Sequence, residues 1–162
     1  RCAIAGCDVH AGEDVILEMK NGMLIAEKSG TGLRGKVVFS GKNGDDIAVK
    51  DVTGSLQQLA GSITIIRVPG ITEGGTRVVE TEKVRKLLLD IRPHKIGAMG
   101  TSAKVLMGRM NLRCDIEFDV IQSGILAAQR GFNVAIFASG GMAERAIIKI
   151  SEQNIRHSLN II

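Results

Sequence analysis

The sequence predicts an α/β protein in two parts, from three observations. Over residues 1–60, short runs of alternating apolar and polar residues are separated by glycine turns, two of them Asn-Gly pairs, which is hairpin sequence. From residue 62 onward, short apolar runs alternate with longer amphipathic stretches, the signature of a parallel sheet with crossover helices. A chain of 162 residues that is 44% apolar can build a core without disulfide or metal staples, and with no Trp, no Tyr and four Phe that core is aliphatic. The expectation is a small β-sheet or partly closed barrel unit over residues 1–60, followed by a Rossmann-like parallel α/β unit over residues 61–162.

The chain opens in strand-like sequence. Strands are expected at 15–19, 23–26, 35–39 and 47–49, with turns at Lys20-Asn21-Gly22, at 29–32 and at 41–46. In the second part a buried strand at 63–68 leads to a helix at 80–91 and a strand at 95–99. A helix at 102–111 places Ala103, Leu106, Met107 and Met110 on one face; a short strand at 116–118 and a helix at 121–130 follow. The run at 134–138 is fully apolar, and the helix at 142–150 turns Ala143, Ala146, Ile147 and Ile150 inward. Residues 155–162 match no pattern.

The net charge is +4, and its distribution says more than its size. Residues 1–70 carry eight basic and eight acidic groups; residues 71–162 carry thirteen basic against nine acidic. The densest basic stretch, KVRKLLLDIRPHK at 83–95, keeps Val84, Leu87, Leu88 and Ile91 on one helical face and Lys83, Arg85 and Lys86 on the other, so it is a solvated helix face or a surface for nucleic acid or an acidic partner. Cys2, Cys7 and Cys114 are odd in number and, even with His10, lack a second close-spaced ligand pair, so neither a disulfide framework nor a metal site is indicated. No apolar run is long enough for a membrane span and no signal segment opens the chain, so the expected location is cytoplasmic. A start at Arg1 in place of Met leads to the expectation that an upstream region is missing.

In a parallel sheet the strand-to-helix loops emerge at one edge, where ligands bind near the switch in strand order. Four loops belong there: 70–77, 100–102, 119–123 and 139–141. The stretch IRVPGITEGGTRVVE at 66–80 is the richest, since Gly74 and Gly75 admit close backbone approach, Thr76 offers a hydroxyl and Arg77 is the one fixed cation in that loop. Gly100, Thr101, Ser102, Ser123, Ser139, Gly140 and Gly141 complete the candidate ligand-binding set, with ordinary turn and cap duty open as the other reading. No catalytic set emerges. His94 precedes its strand and lies at the wrong edge for the loop serines, while Asp115, Glu117 and Asp119 alternate along one expected strand, either as a cation ladder or as solvated edge charges. The glycine clusters match neither a dinucleotide nor a nucleoside-triphosphate fingerprint, and no cofactor is expected.

Three passages, AGEDVILEMKNGMLIA (11–26), SITIIRVPGITEGGTRVVE (62–80) and the region from HKIGAMGTSAKVLM to IQSGILAAQRGFNVAIFASGG (94–141), resemble the carboxy-terminal domain of a little-characterised group of archaeal winged-helix transcription regulators. The best-matching motif is Val68, Pro69, Ile71, Gly74, Gly75 and Arg77. The resemblance implies a regulatory domain that senses a small-molecule effector, forms a homodimer and contacts DNA only through an amino-terminal winged helix that this chain does not contain. The alternative is a small enzyme acting on a phosphorylated or carboxylated metabolite at the same edge, and a third possibility is a ligand-free dimerisation module.

Overall fold

The computed structural model describes residues 1–56 and 61–162, and the chain divides into two compact units, Arg1–Leu59 and Ala60–Ile162. The expected boundary at residue 60 falls in the segment outside the described residues.

The first unit is a closed five-stranded barrel of β1 (Cys2–Ala5), β2 (Asp14–Lys20), β3 (Met23–Glu27), β4 (Leu33–Val37) and β5 (Asp46–Thr53), in the order β1-β3-β2-β4-β5. Closure leaves no open sheet edge. It is completed by β1, which pairs parallel with β3 and antiparallel with β5. Alternation sends Val15, Leu17, Val37, Ile47 and Val49 inward, to a core shared with Ala3, Ala5, Val9 and Ala26. The β2–β3 hairpin turns on Asn21 and Gly22, both at positive φ (49° and 74°), as an Asn-Gly turn requires. β4 lies two residues earlier than the expected 35–39 and keeps Gly35 at its centre: a Cβ there would stand 2.5 Å from Val49 Cγ1, so only glycine lets β4 and β5 approach. β5 runs on past 49 through an irregularity in its pairing with β4, near Asp51 at φ 52°.

The second unit is a four-stranded parallel sheet of β6 (Ser62–Val68), β7 (Lys95–Met99), β8 (Asn133–Ser139) and β9 (Arg156–Ile161), in the order β7-β8-β6-β9. Helices α1 (Thr81–Ile91), α2 (Thr101–Arg109), α3 (Val120–Gln129) and α4 (Met142–Ser151) connect them. The central strands β6 and β8 alternate between two cores. Ile63, Ile65, Val134, Ile136 and Ala138 meet Ile125 and Ala128 of α3 and Ala143, Ala146 and Ile150 of α4. Ile66, Val68, Ala135 and Phe137 meet Val84 of α1 and Ala103, Leu106 and Met107 of α2. Strands buried on both faces are predominantly apolar, which is why these two were legible as near-continuous runs.

Two expectations need correction. The short strand at 116–118 does not form: Ile116 makes one isolated parallel bridge to Gly97, with the amides of Asp115 and Ile116 both donating to the Ile96 carbonyl. Without a strand there is no acidic ladder. Asp115 accepts from the Ile96 amide at 2.9 Å, Asp119 sits at φ 42° ahead of α3, and no metal-holding group of His, Cys, Asp or Glu exists among the described residues. Residues 155–162, unassigned from sequence, supply β9 at the sheet edge, mostly exposed and with Leu159 and Ile161 as its apolar residues.

Candidate functional site

β6 and β8 are neighbours, yet α1 and α4, which follow them, pack on opposite faces, so the switch in strand order lies between their loops. The two loops touch. Gly140 donates its amide to the Val68 carbonyl at 2.8 Å, and a Cβ on Gly140 would lie 3.6 Å from the Gly70 Cα. The loop after β8 also reaches the loop after β7: Ser139 Oγ accepts the Ala103 amide at 2.9 Å, and Gly100, at φ 85°, has room for no Cβ against Ser139 and Met142.

The stretch at 66–80 resolves into two short 3₁₀ turns, Ile71–Glu73 and Gly75–Val78, joined at Gly74 with φ 104°. Gly75 is buried at φ 61°, and the Thr76 carbonyl accepts from Arg109 Nη1 at 3.1 Å. Arg77 is exposed and has no ion-pair partner among the described residues. The cation built into this edge is a different one, Arg67 in β6. Its side chain is 17% exposed, its Nη2 donates to Glu73 at 2.6 Å and its Nε to Glu144 at 2.8 Å. Glu73 also accepts the Gly70 amide at 2.7 Å. Arg67 and then the Gly70 amide hold the Glu73 carboxyl below its ordinary range; for Glu144 the larger cause is its own first-turn amide, followed by Arg67. Between these carboxylates the guanidinium is pushed further into its charged form, chiefly by Glu73. The signal was available in the sequence: an arginine in the otherwise uncharged SITIIRV needs a partner when that strand is buried.

An open groove of about 790 Å³ lies further along the edge, at the end of β7. Gly100, Thr101 and Lys104 line it from α2, Glu117 and Asp119 from the approach to α3, and Lys149 and Glu152 from the end of α4, with Met99, Ile121 and Ile125 as apolar wall. Ser139 takes the Ala103 amide, while the amides of Thr101 and Ser102 have no acceptor among the described residues. Ser102 itself is buried. Of the sequence candidates, Gly100 and Thr101 line this groove; Gly140 lies at the crevice between β6 and β8, and Gly141 precedes α4. Ser123 goes elsewhere, into a smaller hollow of about 340 Å³ with Lys95, Asp115 and Arg130. His94 is structural, its Nδ1 accepting the Asn133 amide at 2.9 Å, and all three cysteines are free.

The fold and this edge define a two-unit protein, a closed barrel joined to a three-layer parallel α/β unit with its loops and groove at the strand carboxyl ends. The chain belongs to the family of the domain of unknown function DUF7839, whose model matches residues 57–159. An uncharacterized protein of Methanocaldococcus jannaschii is 35% identical over 158 residues, covering 97% of this chain and 60% of its own length. A Methanosarcina mazei protein named as an ABC transporter ATP-binding protein is 30% identical over 96 residues, 56% of this chain and 21% of that protein. The run Gly30 to Lys36 here has the Gly-x-x-x-x-Gly-Lys spacing of a phosphate loop, but Val37 follows it and it runs into strand β4, not into a helix. No solved structure matches.

Proposed function

We propose that this chain is the effector-sensing and dimer-forming part of a cytoplasmic archaeal transcription regulator, with the effector held in the groove at the end of β7. The groove carries the proposal: about 790 Å³ is the size of a small-molecule site, and it lies at the sheet edge where parallel α/β folds bind ligands. Its chemistry narrows the ligand. Lys104 and the free amides opening α2 suit an anionic group, while Glu117 and Asp119 suit hydroxyl or amino groups. The M. jannaschii relative is longer than the matched region, which leaves it room for a DNA-reading segment. Among the described residues no helix is long and apolar enough to cross a membrane.

The test is a thermal-shift screen of phosphorylated and carboxylated metabolites bearing hydroxyl or amino groups, run on the wild type and on Lys104→Glu. A ligand at ~100 times its Kd stabilises the folded state by about 2.7 kcal/mol. The expected result is a hit that raises the wild-type midpoint and not that of Lys104→Glu; hits that stabilise both equally place the ligand outside the groove and sink the proposal.

A further inference from the structure

The crevice between β6 and β8 holds a second arrangement that shares no residue with the groove. Arg67 Nη2 and the Gly70 amide converge on the two oxygens of one carboxylate, at 2.6 and 2.7 Å. A guanidinium and a backbone amide aimed at one planar group is the chemistry that captures a free carboxylate. Here the carboxylate belongs to Glu73, carried on a surface segment whose other ties are its own turn bonds to the Gly70 and Ile71 carbonyls and the Arg109 bond to the Thr76 carbonyl. Of its two 3₁₀ turns only Gly75 is buried, Gly74 and Gly75 both sit at positive φ, and Ile71 and Val78 are 72% and 60% exposed. Arg67 is anchored independently, in the central strand and by Glu144 on its Nε.

We propose that Glu73 is an internal stand-in, and that a small-molecule carboxylate binds this crevice by replacing it on Arg67 and the Gly70 amide, which frees residues 70–78. Charge selects a carboxylate over a phosphate. A monoanion restores the charge that Glu73 supplied, whereas a phosphate dianion adds repulsion against Glu144, which stays on the same guanidinium. Gly70 and Gly140, lying against each other, leave backbone in place of side chains beside the exchanged group. The covalently tethered Glu73 acts at an effective concentration of millimolar order or above, so a simple carboxylate competes poorly in the wild type and well once Glu73 is gone.

The experiment is an NMR titration with sodium acetate at constant ionic strength, following the Gly70 and Gly140 amides in the wild type, Glu73→Ala, Glu73→Gln and the double variant Glu73→Ala/Arg67→Lys. Both single variants are expected to bind acetate at least about tenfold tighter than the wild type, as removal of a tethered competitor demands, and the double variant to lose that gain. Lys104→Glu, a groove variant, is expected to leave the titration unchanged, so failure of the groove reading does not touch this one. Equal acetate affinity with and without Glu73, retention of the gain in the double variant, or tighter binding of inorganic phosphate than of acetate by Glu73→Ala would each overturn the proposal.

Discussion

Arg67 fixes two segments with one side chain, and its partners give the loop edge a pH dependence. The folded pKa values of Glu73 and Glu144 lie below the ordinary 4.5, so in the intervening window the folded state binds fewer protons than the unfolded one and stability rises with pH. The contribution is therefore present above about 4.5 and lost as pH falls through the depressed values. Hydrogen exchange of the 70–78 amides, corrected for intrinsic rate, is expected to speed up below pH 4.5 relative to pH 6, and Arg67→Met to abolish the difference. Exchange that is flat across that window would remove the clamp. Ser139 has a second residue-scale role, capping α2 from a neighbouring loop. Ser139→Ala is expected to cost about 1 kcal/mol, the usual value of a lost helix cap, measured by urea denaturation. From sequence Ser139 is a ligand candidate because a serine at a strand end is chemically the same in either duty. Only the 2.9 Å contact to Ala103, 36 residues away, reveals the cap.

At the scale of elements, legibility followed burial. β7 has the expected bounds, and α2 and α4 have the inward faces read from their spacing, because a helix that buries one face against the sheet leaves a strong periodic signal. β9 was missed since an edge strand needs only one partner: Arg156, His157 and Ser158 remain exposed and break any apolar run. The strand expected at 116–118 had the right alternation, but only one bridge to β7 holds it, and alternation cannot report whether a neighbouring strand is there to pair. β8 should dominate the energetics of its unit. Phe137 is fully buried among Ile66, Leu106 and Met107, so Phe137→Ala is expected to cost about 3–5 kcal/mol through lost burial and the cavity left behind, a large drop in the urea midpoint. A loss below 1 kcal/mol would mean that this core is far looser than its burial implies.

For the whole molecule, the proposed role assigns DNA reading to sequence outside this chain. Its densest basic stretch, 83–95, is partly neutralised where Lys83 and Arg85 pair with Glu80 and Glu82, and phosphate attraction alone gives salt-sensitive, sequence-blind binding. Titration of duplex DNA at two salt concentrations is expected to show weak, nonselective binding by this chain and selective binding by the full-length M. jannaschii relative, of which the matched region covers 60%. Selective binding by this chain alone would move the function onto its own surface. The central claim, that the groove at the end of β7 holds a small effector, is tested most directly by native mass spectrometry of the protein purified from an archaeal host, wild type beside Lys104→Glu. The account predicts a discrete small-molecule mass on the wild type that Lys104→Glu does not retain; a bare wild-type chain, or the same mass on both proteins, would contradict it.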